Sequence, residues 1–371
     1  MSGAELFLAG PADEAGLRAL LRALPTGGAI RLAAGHEPHF FAALEVEGRD
    51  PVVVSARDAA GRLVVAGVST WREVYLNGAP ATVGYLGGLR IDPRHRGGGL
   101  LQRGFSMVHA EHARRPALLF LSSIIEDNLL GRRVLEGDHH GLPRFAPLGG
   151  WGTLTFAPRG DPWRSRAGRG LEVKPAGDAD LEPLLAFLRA EGPRRQFFPD
   201  YTVDELRAPV GRLRGLAPGD VLVARQGGRV AGTLGLWDQR PFRQVVVAGY
   251  SGPLALARPP YNAFAAATRR PRLPPPGGVL DLRLGALLCV EGDRPEVLAA
   301  LLSAAWRTMQ ASSPGALLSI GVHERDPNRA LLESAPHRAL RSRLYAAHWP
   351  EGAAAFAALD DRCPHLELGS L

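Results

Sequence analysis

Lysine is almost missing from this chain of 371 residues: Lys174 is the single one among 44 basic side chains, and arginine supplies the rest. Cysteine is nearly as scarce. Cys289 and Cys363 stand far apart, without the close spacing of metal ligands; they argue against a disulfide framework and fit a reducing, cytoplasmic compartment. No run of about 18 apolar residues occurs, so nothing reads as a membrane span. The opening stretch MSGAELFLAGPADEAG lacks a basic region followed by an apolar core, and no secretory leader is expected. The arginines bring the formal charge to +7. They are scattered, with no long basic block and no interleaved aromatics. That pattern argues against a dedicated nucleic-acid surface and leaves a general attraction for anions such as nucleotides and phosphates.

What remains is an ordinary globular composition, 46% hydrophobic and 22% charged, at a length that suggests about two or three domains. The chain repeats itself. VVSARDAAGRLVVAGVSTW, beginning at Val53, and DVLVARQGGRVAGTLGLW, ending at Trp237, share a β-rich run into Ala-Arg, a Gly-Arg turn and a second β-rich run through Ala-Gly. They lie roughly 170 residues apart and read as the same hairpin. ALLFLSSIIEDNLLGRRVLE from Ala117 and ALLSIGVHERDPNRALLES from Ala316 form a second pair: apolar strand, acidic loop, asparagine (Asn128, Asn328), helical pattern.

The first half predicts a strand at 5–9 and an amphipathic helix near 12–24 carrying Leu17, Leu20, Leu21 and Leu24. Three strands follow at 51–57, 62–75 and 81–91, with Asn77-Gly78 as a tight turn. Next come a helix over 98–114, a strand at 117–123, a helical segment at 128–136, and strands at 143–147 and 152–157. The second half repeats the scheme, with residues 257–278 as an inserted Pro- and Arg-rich loop. The expected class is α/β (α+β): two tandem domains, each a mostly antiparallel mixed sheet flanked by helices. The expected boundaries are 1–158, a linker at 159–170, and 171–371.

The densest signal is LRIDPRHRGGGLLQRG, beginning at Leu89: a strand end, Pro93, three basic side chains, three glycines, then a helix. A helix N-terminus offers unpartnered N–H groups and partial positive charge, and glycines let a bulky anion approach the main chain. The stretch is suited to cradle a pyrophosphate. No Gly-Lys-Ser/Thr follows, which excludes a Walker loop. The contiguous glycines and the hairpin context fit a dinucleotide-binding fingerprint poorly.

Strand-Pro-x-x-Arg-x-x-Gly before a helix resembles motif A of the GNAT N-acetyltransferase superfamily. Two registers compete, Arg94-x-x-Gly97-x-Gly99 and Arg96-x-x-Gly99-x-Leu101; spacing from Pro93 favours the second. The resemblance implies an acyl-CoA-dependent N-acyltransferase with acetyl-CoA as co-substrate and no metal. The main chain of Leu89, Arg90 and Ile91 would pair with the pantetheine arm, and the Ile91 amide would polarise the thioester carbonyl. Arg96, Gly97, Gly98, Gly99, Leu100 and Leu101 would hold the pyrophosphate, and Asn128 would contact the coenzyme arm. The tyrosine that many members carry seven residues after that asparagine is Leu135 here, so the usual general acid is missing. Candidate bases are Glu126 first, then Tyr85, Glu73 and Asp127, with His36, His39, His139 and His140 in loops. The acceptor would be a small-molecule or peptide amine, with no membrane partner and the oligomeric state open. In the second half, Pro295, Glu296 and Val297 align with the glycines and Arg294 with Arg96. That copy is expected not to bind coenzyme but to shape the acceptor site. The competing reading is a non-catalytic acyl-CoA-binding or regulatory protein.

Overall fold

The computed structural model describes residues 4–371 apart from 98, 113, 115, 116, 138, 158, 159, 209 and 269. The first half runs β1 (Glu5–Leu8), α1 (Glu14–Ala23), β2 (Ile30–Gly35), α2 (Phe40–Leu44), β3 (Arg49–Arg57), β4 (Leu63–Leu76), β5 (Ala79–Ile91), α3 (Leu100–His112), β6 (Phe120–Ile125), α4 (Leu129–Leu135) and β7 (Arg144–Phe156). The second runs β8 (Leu171–Pro175), α5 (Leu181–Glu191), α6 (Val203–Arg207), β9 (Val221–Gln226), β10 (Arg229–Trp237), β11 (Gln244–Tyr250), α7 (Gly252–Ala267), β12 (Leu282–Val290), α8 (Pro295–Ser312), β13 (Leu317–His323), α9 (Arg329–Glu333), β14 (His337–His348) and α10 (Ala353–Ala357).

Local chemistry explains most of these elements. Leu17, Leu20 and Leu21 make the buried stripe of α1. The β4–β5 hairpin turns on Asn77 (φ 51°) and Gly78 (φ 83°), and β9–β10 on Gly227 and Gly228 (φ 57° and 81°). Paired positive φ values match the right-handed twist of the flanking strands. Alternation along β3 sends Val53 into a cluster with α1 and α2, and Val54 into one with α3. Helices therefore cover both faces of the sheet. The second half does the same, with α5 over Val221 and Val223 and α8 over Leu222 and Ala224.

Twelve strands form one sheet in the order β1-β3-β4-β5-β6-β14-β7-β13-β12-β10-β9-β8. The two halves exchange their closing strands. β14 lies antiparallel between β6 and β7, and β7 reaches across to pair with β13. β2 and β11, again one from each half, make a separate two-stranded sheet.

Two sequence expectations change. The strands at 143–147 and 152–157 are one strand, β7, because β14 pairs along both pieces and continues through Gly149 and Gly150, with a register shift at Leu148. The stretch from 257, read as loop, begins inside α7, which contains Pro259 and Pro260. The segment read as a linker buries Trp163 completely, edge-on to Phe156 and Trp306.

Candidate functional site

β5 and β6 are parallel neighbours at Gly84 and Tyr85 only, opposite Phe120 and Leu121. β14 pairs with the other edge of β6 throughout, and beyond Tyr85 the edge of β5 away from β4 has no strand beside it among the described residues. Asp92 donates its N–H to the Val64 carbonyl at 2.8 Å. Hydrogen-bonded and non-bonded pairs alternate along an antiparallel ladder, so Ile91, one residue back, turns its N–H and C=O into the gap. Between Gly87 and Arg90 the strand carries one residue more than β4 opposite. This bulge has Gly88 at φ 63°, a left-handed conformation that glycine adopts without a Cβ clash. The Gly87-Gly88 pair was the signal in the sequence that could have announced it.

β5 then enters the glycine loop. Arg94 folds back on Asp92, with Nε and Nη2 at 3.1 and 2.6 Å from its two oxygens. Those bonds hold the Asp92 carboxyl well below the usual range. Arg96 is exposed. Gly97 and Gly99 have φ values of 98° and 72°, and a Cβ at either would meet nothing within 4 Å. Gly98 lies outside the described residues. Leu100, which begins α3, is buried, and Leu101 follows in its first turn, where helical N–H groups have no intrahelical partner.

The other anticipated side chains divide. Asn128 caps α4, its side-chain oxygen accepting the Gly131 N–H at 3.1 Å. Glu126 stands at the end of β6, across the gap, half-exposed and 4.0 Å from Arg343. Tyr85 is buried, with the Arg72 guanidinium 3.7 Å above its ring. Burial raises its pKa. Glu73 does not join them. It sits opposite Thr82 and pairs with Arg49 and the Thr82 hydroxyl. Six residues of β5 separate Thr82 from Gly88, about 20 Å at 3.3 Å per residue. His39, His139 and His140 are exposed; His36 is buried. Leu135 packs in the core with Tyr345 of the exchanged strand, whose hydroxyl binds Glu136.

The acid that sequence reasoning missed is Glu47. It follows α2 and is 4% exposed. Its carbonyl accepts the Thr70 hydroxyl at 3.0 Å and the Arg72 Nε–H. Its Oε1 accepts from Arg243 at 3.2 Å, while Oε2 has no partner. Burial raises its pKa against the opposing pull of Arg243 and Arg72. Thr70 is the cross-strand neighbour of Tyr85, and Val68, one step along the same face, opposes Gly87 beside the bulge. Glu47 is therefore anchored on Thr70, which stands one two-residue step, about 7 Å along β4, from the residue opposite Gly87. It lines a small cavity with Arg72, Tyr201, Arg212, Glu367 and Ser370. EVEGRD gives no periodic or spacing cue for this position.

The second half offers a direct comparison. β12 has the same bulge between Ala286 and Cys289, with Leu287 at φ 51°. There the Leu287 N–H donates to Glu367 at 2.8 Å, and Tyr201 donates to the same oxygen at 3.1 Å. No described side chain is hydrogen-bonded to the Gly88 N–H. From Gly88 to the start of α3 the chain advances twelve residues; from Leu287 to the start of α8 it advances eight. The residue-for-residue alignment of the two loops is thus corrected: the second is four residues shorter, and Pro295 opens its helix directly.

No protein-family model matches the sequence, and no curated protein matches it. Solved structures do. The chain is similar to a GCN5-related glucosamine N-acetyltransferase region in a fungal multi-domain GH3 β-N-acetylglucosaminidase (14% identity, TM-score 0.63), over 93% of this chain and 38% of that one. It is similar to a GCN5-related N-acetyltransferase from Sphaerobacter thermophilus (12% identity, TM-score 0.52), over 99% and 98% of the two chains. It is also similar to the Saccharomyces cerevisiae N-myristoyltransferase with bound myristoyl-CoA (10% identity, TM-score 0.57), over 94% and 79%. This chain spans well under half the length of the fungal enzyme. Among the described residues no helix is long and apolar enough to cross a membrane, and no group of three His, Cys, Asp or Glu could hold a metal ion. The twelve-stranded sheet, the parted β5 and β6 and these neighbours together give the chain the GCN5-related N-acetyltransferase fold.

Proposed function

We propose that this protein is an acyl-CoA-dependent N-acyltransferase, with acetyl-CoA as the simplest donor and a primary amine as acceptor. The observation that carries the reading is the free edge of β5, which runs through a bulge directly into the Gly97–Gly99 loop and the first turn of α3. The open space around Gly97 and Gly99 fits a diphosphate lying against main-chain N–H groups, with Arg96 adding charge. The coenzyme supplies a thioester carbon activated for attack. The free edge offers main-chain partners to an extended pantetheine arm, as an added strand would, and the Ile91 amide offers a hydrogen bond to the carbonyl oxygen as it gains charge. The amine nitrogen bonds to the carbonyl carbon, the C–S bond breaks, and the thiolate departs.

The ammonium must first lose a proton. Glu47 suits that task better than Glu126 or Glu73: it is buried, its pKa is raised, Oε2 has no partner among the described residues, and it is anchored on Thr70, one two-residue strand step from the residue opposite Gly87. In the second half a carboxylate occupies the matching bulge amide and the loop is shorter, which supports a single coenzyme site in the first half. Thiol release from acetyl-CoA, measured across a panel of primary amines, tests the reading. Coenzyme binding without release from any amine would favour the non-catalytic alternative, to which Leu135 in place of a phenol lends weight.

A further inference from the structure

Arg90 is the one residue of the bulge region whose charge the mechanism above leaves unused. It opposes Ala66, on the face of β4 and β5 that carries Val68, α1 and α2, away from Ile91, Leu100 and the glycine loop. The side chain is half-buried. Its guanidinium donates to its own neighbour's carbonyl, Leu89 O, at 2.9 Å, and no described carboxylate pairs with it. Arg195, Arg212, Arg214 and Arg240, by contrast, sit in ion pairs, and the buried Arg72 spends its donors on the Glu47 and Ser370 carbonyls. A partly desolvated guanidinium without a counter-charge is costly, and a bidentate anion offsets that cost well.

Its neighbours make the same demand. His36 is 6% exposed and its Nδ1 has no hydrogen-bond partner. Arg90 and Arg243 both bear on this ring, which they and burial hold neutral. Arg243 spends its donors on Glu47 Oε1 and on the Gly369 and Leu371 carbonyls. This face of the sheet thus holds a cation with no carboxylate partner and a ring nitrogen with no partner among the described residues, and Arg243, which bears on the same ring, connects them to Glu47.

We infer that the acceptor is an amino-carboxylate: a primary amine with a carboxylate a few bonds away, the carboxylate held by Arg90 and the amine directed toward Glu47. The inference rests on the acyltransferase reading and adds its substrate class. Arg90 is adjacent to Ile91, and an arginine side chain carries its guanidinium carbon only five bonds from its Cα. The anion it binds must therefore lie close to the acylated nitrogen, which favours α- and β-amino acids over long diamines or sugars.

The test compares matched amines on the full-length protein by thiol release from acetyl-CoA: glycine and β-alanine, their aminophosphonate analogues, and methylamine and ethylamine. The readout is the ratio of kcat/KM for the carboxylated and uncharged amines within each variant, which cancels any change in coenzyme binding. The wild type is expected to favour the carboxylate by more than tenfold, Arg90→Gln to reduce the ratio to about one, and Arg90→Lys to keep part of it. A wild-type ratio of one or below, or one that Arg90→Gln leaves intact, would overturn the inference. Preference for the phosphonate would overturn the carboxylate assignment. Binding of N-acetylglycine and N-methylacetamide to the CoA-saturated protein separates the two readings. Arg90-dependent binding of the former without any turnover sustains the anion subsite while removing the enzymatic reading; no such binding removes the subsite.

Discussion

At the scale of single residues, the site turns on two buried carboxylates in different settings. Glu47 keeps a free oxygen and a raised pKa, so Glu47→Gln should lower kcat by about 10²–10³ with little change in the KM for acyl-CoA. The acid limb of the wild-type pH–rate profile should disappear in that variant; a limb that survives would assign the base elsewhere. Glu367 accepts two hydrogen bonds at the second bulge, yet burial outweighs them and moves its pKa from 4.5 to about 7. Between those values the folded protein holds a proton that the unfolded chain releases. Its contribution is therefore complete below about pH 4.5, declines as pH rises through 7, and is flat above. A glutamine oxygen can accept both bonds without charge. Relative to wild type, Glu367→Gln should gain stability with rising pH, by up to about 3 kcal/mol between pH 4 and 8 in denaturant titrations. The sequence announced Tyr85, Ile91 and the glycines because each stands in a local pattern. It could not announce Glu47, Glu367 or the loneliness of Arg90, because those properties arise from contacts between distant segments.

At the scale of elements, hairpins and helices followed from alternation, from Asn-Gly and Gly-Gly turns and from the Leu17–Leu20–Leu21 stripe. Each of these signals acts over a few residues. Strand partners were not legible: alternation says which face of β7 or β14 is buried but not which neighbour lies alongside. The bulge and loop are the elements to perturb. Gly97 and Gly99 adopt left-handed backbone in open space, so replacement there meets no packing obstacle and costs about 1 kcal/mol of backbone strain each. Gly97→Glu with Gly99→Asp should leave the circular dichroism spectrum native and weaken acetyl-CoA binding at least tenfold by calorimetry, since both charges would face the diphosphate in the proposed site. Unchanged affinity in the folded variant would move the coenzyme away from this loop.

At the scale of the molecule, the exchanged strands make each half incomplete. Residues 4–157 on their own would leave β6 and β7 without β14, exposing strand edges and the cluster of Phe120, Ile124 and Phe145 that Tyr345, Ala347 and Trp349 complete. That fragment should be insoluble or lack a cooperative thermal transition, whereas co-expression with residues 160–371 should yield a soluble, CoA-binding pair. A soluble, cooperatively melting fragment would contradict this dependence. The same arrangement governs how the polypeptide can be born. A ribosome releases β6 and β7 long before it reaches His337, where β14 begins. At about 5–20 residues per second, the interval is roughly ten to thirty seconds. Throughout it the nascent sheet has an empty lane between β6 and β7, so the region next to the proposed coenzyme cleft is among the last parts to close, and a holdase that shields that lane during synthesis would set the yield.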